Sequence, residues 1–328
     1  MTQPRIPQRI IQTWKSRTLP RRYRRFQKKL RKLHPEWDVQ LFTDDEMHAF
    51  VREEYPQYVE AYEALPNVVC QTDLFRILAV HKLGGFYCDL DVLFVKPLDE
   101  LREHACVFPF QSNSDAYFAA LFRSIDCIGQ YAFGAEAGHP FLIACADAIA
   151  RSVLDPEWAL VPNDEAMATL FTPLEPPHAL PIYYTSGPSV ITRAFIENPE
   201  ARAGVKLLSA FDQENNRKLY YCFGPYAVHA MHGTWKGDKP WYIPILRHVG
   251  TSLAMYLLLG QMKNVAARLD EELPALPEVP PVDARATWIP RARMQKDTAE
   301  ANEADANESR ESDYGNATTR VSPTATST

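Results

Sequence analysis

The stretch Asp73–Asp91, DLFRILAVHKLGGFYCDLD, constrains this chain more than any other. An amphipathic segment ends at Gly84 and Gly85, a short apolar run follows (Phe86, Tyr87, Cys88), and Asp89 and Asp91 stand one residue apart. The order predicts a helix, a turn that needs glycine, and a strand ending in two carboxylates. In extended backbone residues i and i+2 share a side, so both carboxylates leave the strand together. Asp-x-Asp alone is common and usually a solvated turn. Here Val92, Leu93, Phe94 and Val95 follow directly, and a charge inside an apolar run is costly unless it is paired or bound to metal. Mg²⁺ and Mn²⁺ take such oxygen ligands, with substrate phosphates completing the shell. The segment therefore points to an enzyme acting on a phosphate-bearing donor.

The rest of the chain is compatible with a large α/β domain plus appendages: 328 residues, 46% hydrophobic and 23% charged. Six cysteines (Cys70, Cys88, Cys106, Cys127, Cys145, Cys222) lack zinc-type spacing. Several lie in apolar runs, where a buried free thiol in a reducing compartment is expected. MTQPRIPQRIIQTWK has no apolar core of signal-peptide length. Thr251–Gly260 is too short to span a bilayer. The expected location is cytoplasmic, with peripheral attachment to the inner membrane face left open.

Charge is uneven. The net charge is −6, yet residues 1–32 hold twelve Lys or Arg and no acid. Tyr23, Phe26, Leu30 and Leu33 fall near helical spacing, so a helix with one docked side and a basic solvent side is expected. A solvated face and contact with anionic lipid both fit. Nucleic acid does not, because no aromatic or Gly-rich recognition pattern accompanies the charge.

Along the chain, Arg9–Trp14 reads as a strand, Pro20–Leu33 as the basic helix, and Trp37–Phe42 as an alternating strand. Thr43 with Glu46 forms a capping box. Thr72–Leu83 is a helix, for which Asp73 is a candidate cap, and Phe86–Asp89 is a strand. Residues 107–138 give no clear pattern. Phe141–Leu154 reads as a helix after Gly138-His139-Pro140, and a turn and helix start at Thr185–Pro188. Tyr220–Trp235 holds a short strand, and Tyr242–Leu273 reads as helical. Alternating strands and helices predict a mostly parallel α/β sheet, with ligands beyond the carboxyl ends of its strands.

Four blocks occur in order: IPQRIIQTWK (Ile6–Lys15), DLFRILAVHKLGGFYCDLDV (Asp73–Val92), GHPF (Gly138–Phe141), and TSGP followed by YAVHAMHGTW (Thr185–Pro188, Tyr226–Trp235). This order resembles glycosyltransferase family 32, the DXD-containing sugar transferases related to fungal α-1,6-mannosyltransferases and bacterial capsular polysaccharide enzymes. The resemblance implies a GT-A fold: a Rossmann-like, mostly parallel sheet with flanking helices over 1–240. A C-terminal helical extension (241–273) and a proline-rich linker with a disordered tail (274–328) would follow. It implies a retaining hexosyltransferase that uses a UDP- or GDP-sugar, Mn²⁺ or Mg²⁺, and a glycan or lipid-linked acceptor, in polysaccharide or surface glycan synthesis.

By that resemblance Asp91 is the direct metal ligand, with Asp89 on the donor or the metal. Asp73 and Arg76 reach the donor sugar and diphosphate, Trp14 borders the base, and His229 is a further metal or phosphate contact. Trp235 lies near the leaving diphosphate, and Gln130 stands near a family Asn position against the sugar. Two departures matter: the family reads His-His-aromatic-x-Gly-Ser-Trp, whereas here the order is His229-Ala230-Met231-His232-Gly233-Thr234-Trp235, and Gln130 stands where the family often has Asn. From the residues alone, Trp14 is also compatible with core packing, Arg76 with a pair to Asp73 or Asp99, and His232 with a loop. Two other readings stay open: a haloacid-dehalogenase-type phosphatase, against which Leu93 stands where Thr or Val is wanted, and an effector-type transferase that modifies a protein.

Overall fold

The computed structural model describes residues 4–112, 126–155, 157–159, 180–212, 217–219 and 222–230. Strand β1 (Arg9–Thr13) is followed by helix α1 (Arg21–Leu33), β2 (Asp38–Phe42), α2 (Asp44–Glu54), α3 (Val59–Ala64) and α4 (Val68–Leu83). Next come β3 (Gly85–Cys88), β4 (Val92–Phe94), β5 (Cys106–Ser112), β6 (Asp126–Ile128), β7 (Ala132–Ala135) and α5 (Pro140–Leu154). The described order closes with α6 (Leu180–Thr185), α7 (Pro188–Glu197) and strands β8 (Val205–Leu208), β9 (Ala210–Asp212), β10 (Arg217–Leu219), β11 (Cys222–Phe223) and β12 (Ala227–His229).

The main sheet has seven strands in the order β2-β1-β3-β7-β5-β6, with β8 also paired to β5. The β1–β2, β1–β3 and β5–β8 pairs are parallel, whereas β7 is antiparallel to both β3 and β5, and β6 to β5. Strands β1, β2, β3, β5 and β8 therefore share one direction, which makes the sheet mostly parallel, as expected. The chain leaves β1 to build β2 on one side, then returns to build β3 on the other. That reversal is a topological switch point, and the crevice beyond the carboxyl ends of β1 and β3 is where such sheets bind ligands.

Side-chain alternation sorts the two sheet faces. Ile11, Tyr87, Phe108 and Phe133 point to a core shared with α2, α4, α5 and α7. Ile10, Phe86, Cys88, Val107 and Ala132 point to the opposite core, with Leu30 of α1 and Val92 and Phe94 of β4. Gly134 belongs to this close packing, because a Cβ there would lie 2.3 Å from the Phe86 ring.

Local signals set the element ends. Thr43 accepts from the Glu46 amide and Glu46 from the Thr43 amide, closing the expected capping box. Gly84 and Gly85 have φ of 64° and 109°, and a Cβ on Gly85 would stand 2.7 Å from the Arg9 carbonyl oxygen. Only glycine takes this turn without strain.

Three expectations are revised. Helix α4 begins at Val68, not Thr72, because Asn67 Oδ1 accepts from the amides of Val69 and Cys70. Asp73 is thus not the cap; it lies inside the helix, buried. The segment left unassigned by sequence contains β5, β6 and β7. Strand β2 is half-buried along most of its length rather than cleanly alternating, as an edge strand can be. All six cysteines are free and buried. The proposed 241–273 helix and 274–328 tail lie outside the described residues.

Candidate active site

The chemistry gathers where β3 ends. Tyr87 is the last β3 side chain on the α4 side, and Asp89 follows two residues on, so the Tyr87 hydroxyl donates to Asp89 Oδ1 at 2.7 Å. The Asp89 amide donates to the Tyr131 carbonyl (2.8 Å), and the Val92 amide closes a turn on the Asp89 carbonyl (3.1 Å). Past that turn Asp91 leads into β4. Strand β12 pairs with β4 antiparallel, setting His229 opposite Val92, and the Ala230 amide donates to the Asp91 carbonyl at 2.9 Å. Both aspartates are thus fixed through backbone from two sides.

Ligand atoms of Asp89, Asp91 and His229 all lie within 4.8 Å of one another. His229 Nε2 is 3.3 Å from Asp91 Oδ1, and its ring stacks on Tyr131 at 4.5 Å between centroids. Burial alone would lower the His229 imidazole. The charge and hydrogen bond of Asp91, with Asp89 behind it, outweigh this and raise it above its ordinary value.

Helix α4 supplies the positive charge. Asp73 and Arg76, one helical turn apart, are both buried. Arg76 Nη2 lies 3.0 Å from Asp73 Oδ1 and Nη1 lies 3.5 Å from Asp89 Oδ1. Nη1 also donates to the Gln130 carbonyl at 2.9 Å, and the guanidinium sits 4.5 Å from the centre of the Tyr87 ring. Of the sequence reading of a helix-surface arginine paired with Asp73 or Asp99, the pair with Asp73 is present but buried, and Asp99 instead faces Arg102. Asp73 Oδ2 accepts from the Ser186 hydroxyl at 2.7 Å, and Gln130 Nε2 donates to the Ser186 carbonyl at 3.0 Å. Burial pushes the Asp73 carboxyl up to about 6 despite Arg76 and Ser186. Burial likewise raises Asp89, with Arg76 working against it.

Among the described residues three carboxylates, Asp73, Asp89 and Asp91, gather by one guanidinium and one imidazole, which leaves the cluster short of positive charge. A divalent cation matches that deficit, and two carboxylate oxygens with one imidazole nitrogen are an acceptable donor set for Mn²⁺ or Mg²⁺. The residues present fit a metal.

Trp14 follows β1 and is half-buried. Its ring meets Tyr23 edge-on at 5.1 Å and packs with Leu19 and with Leu90, the residue between the two aspartates. It therefore borders the motif at the switch point, with much of its surface used in packing. Gln130 is buried, and its Oε1 has no hydrogen-bond partner among the described residues. His232 and Trp235 lie outside the described residues.

Sequence reasoning missed Ser186 and Tyr87 as site residues. Both stand in blocks it quoted, TSGP and GGFYCDLD. Only the fold shows that the turn before α7 reaches across to α4.

Residues 20–108 match the family described as "Glycosyltransferase sugar-binding region containing DXD motif". Inositol phosphoceramide mannosyltransferase 3 of Schizosaccharomyces pombe is 32% identical over 138 residues, covering 42% of this chain and 35% of that protein. Inositol phosphoceramide mannosyltransferase 1 of the same yeast is 24% identical over 234 residues, covering 67% and 70%. The match thus spans about a third of the length of the first relative. Among solved structures, the PaToxG glycosyltransferase aligns with a TM-score of 0.39 at 12% identity, over 60% of this chain and 72% of that one. By its sequence, this chain is similar to the DXD-containing glycosyltransferases over residues 20–108 and to fungal mannosyltransferases of the family-32 type.

Proposed function

We propose that the chain is a metal-dependent, retaining glycosyltransferase that moves a hexose from a UDP- or GDP-sugar to a glycan or lipid-linked acceptor. The observation that carries this reading is the convergence of Asp89, Asp91 and His229 within 4.8 Å, beside buried Arg76, at the switch point of the sheet. Two relatives are named mannosyltransferases of inositol phosphoceramide, which favours a mannosyl donor and a lipid-linked acceptor.

In this reading Asp91 holds Mn²⁺ or Mg²⁺, with Asp89 and His229 completing the protein ligands. When bound, the ion supplies Lewis-acid stabilisation of the leaving diphosphate. Arg76 adds a fixed positive charge in a site where water is scarce, and such preorganised charge is strongest there. Asp73 and Ser186 hold Arg76 and the α7 turn in register. Gln130 Oε1 accepts from a donor hydroxyl, Trp14 borders the base, and Trp235 is assigned to the diphosphate on the family resemblance alone.

Each carboxylate is engaged: Asp73 by Arg76 and Ser186, Asp89 by Tyr87 and Arg76, Asp91 by His229. None stands ready as a covalent nucleophile, which supports front-face substitution. The bond from the anomeric carbon to the diphosphate oxygen breaks, the acceptor oxygen bonds on the same face, and its proton passes to the leaving phosphate.

The test is turnover of UDP-glucose, UDP-galactose, UDP-N-acetylglucosamine and GDP-mannose, with anomeric configuration read by NMR. Turnover of one donor with retention, abolished by EDTA and by Asp91→Ala, is expected. Unchanged turnover in Asp91→Ala, or hydrolysis of p-nitrophenyl phosphate without sugar release, would overturn the reading.

A further inference from the structure

The geometry points to a second functional surface: the outer face of α1, which docks on a membrane rich in anionic headgroups. This goes beyond the donor site. Only the idea that docking brings an acceptor to that site rests on the proposed transfer.

Helix α1, RRYRRFQKKLRKL, carries eight Lys or Arg and no acid. Arg21, Arg22, Arg24, Arg25, Lys28, Arg31 and Lys32 are exposed, whereas Tyr23 and Leu30 are buried. At 3.6 residues per turn and 1.5 Å per residue, the cations cover the half of the cylinder opposite Tyr23 and Leu30, over a length of about 20 Å. Other basic side chains of the N-terminal region are tied down: Arg5 to Glu136, Arg9 to Asp38, Arg17 to Glu46. Among the described residues, Arg21, Arg22, Arg24, Arg25, Lys28 and Lys32 have no ion pair.

Helix formation does not require this pattern and is opposed by it. Arg21, Arg22 and Arg24 crowd the first turn, where the macrodipole is positive and acids are favoured, and Pro20 provides no side-chain cap. Like charges also repel at i,i+3 and i,i+4, as for Arg21–Arg24, Arg21–Arg25, Arg24–Lys28 and Lys28–Lys32. An external anionic surface relieves both penalties.

A lipid surface fits better than nucleic acid. The face is convex, long and free of exposed aromatic side chains for base stacking. Its position matters too: Tyr23 of α1 packs with Leu19 and with Leu90, so one end of the basic face adjoins the donor site. Because Tyr23 and Leu30 are committed to the core, α1 has no apolar face to insert. Docking is electrostatic, and salt must reverse it.

The test is co-sedimentation of the full chain with phosphatidylcholine vesicles, alone or with about a third phosphatidylserine. The comparison is the triple variant Arg21→Glu, Arg25→Glu, Lys28→Glu. Wild type is expected to bind only anionic vesicles and to be released on raising salt from about 0.05 to 0.5 M. The variant should lose at least about tenfold in partition, with an unchanged or higher melting temperature and unchanged donor turnover. Equal binding by the variant, equal binding to neutral vesicles, or wild-type binding to a DNA duplex but not to vesicles would overturn the proposal. A dead donor assay with salt-reversible vesicle binding would instead sink the transfer reading and leave this one standing.

Discussion

Arg76→Met tests whether the α4 arginine neutralises the site. Arg76 and Asp73 are nearly fully buried, with side-chain exposures of 7% and 4%, and the guanidinium also serves Asp89. Methionine fills much of the volume but leaves the buried Asp73 carboxylate and the partly buried Asp89 carboxylate without their counter-charge. Removing one partner of a buried pair costs about 3–5 kcal/mol, a large part of the roughly 5–15 kcal/mol that holds a domain folded. The loss should depend on pH. Asp73 already sits at about 6 with Arg76 present, and without that cation it moves higher. A carboxyl raised in the native state contributes stability below its unfolded value and loses it as pH rises through its native value. The deficit of Arg76→Met should therefore be smaller at pH 5.5 than at pH 8, and Asp73→Asn in the same chain should recover part of it. Urea unfolding of the four cycle members at both pH values measures this. A loss below about 1 kcal/mol at pH 8, the size expected of an exposed pair, would refute the reasoning. So would a loss independent of pH.

Other consequences follow from the same geometry. Gly85→Ala should destabilise more than Gly138→Ala. Both have positive φ, but a Cβ at Gly85 meets the Arg9 carbonyl at 2.7 Å and one at Gly138 meets nothing within 4 Å. Gly138→Ala should cost only the backbone penalty of about 1–2 kcal/mol, and equal denaturant midpoints would contradict the packing described. His34 is buried, with Nδ1 2.9 Å from the Leu30 carbonyl and Nε2 accepting from the Leu98 amide at 3.0 Å. Burial holds it below 6.5, so its contribution is present above pH 6.5 and is lost as pH falls through the lowered native value. Imidazole ¹⁵N shifts should show the neutral Nδ1–H form at pH 6.5, and a half-protonated ring there would count against the assignment.

The parts of the site that were legible in the sequence are those written locally. Asp89 and Asp91 are legible as a carboxylate pair following an apolar strand, although they sit in the turn between β3 and β4 rather than on extended backbone, and the glycine pair announces a turn that only glycine can make. Thr43 and Glu46 close their cap within one helical turn. Long-range features were less accessible. Asp73 reads as a cap because Asp suits a helix start, yet Asn67 captures the first amides, and the buried pair with Arg76 decides the role of Asp73. Strand β7 hid because it is short and runs against both its neighbours. Ser186 lies 113 residues from Asp73 in sequence, and no spacing rule links them.

The most direct test of the central claim is nucleotide binding by calorimetry, with UDP and GDP, each with and without Mn²⁺, on wild type and Asp91→Ala. The predicted result is Mn²⁺-dependent binding of one nucleotide by wild type and none by Asp91→Ala, with both chains folded. Binding of equal strength without Mn²⁺, or retained in full by Asp91→Ala, would contradict the assignment of Asp89, Asp91 and His229 as the metal-bearing donor site.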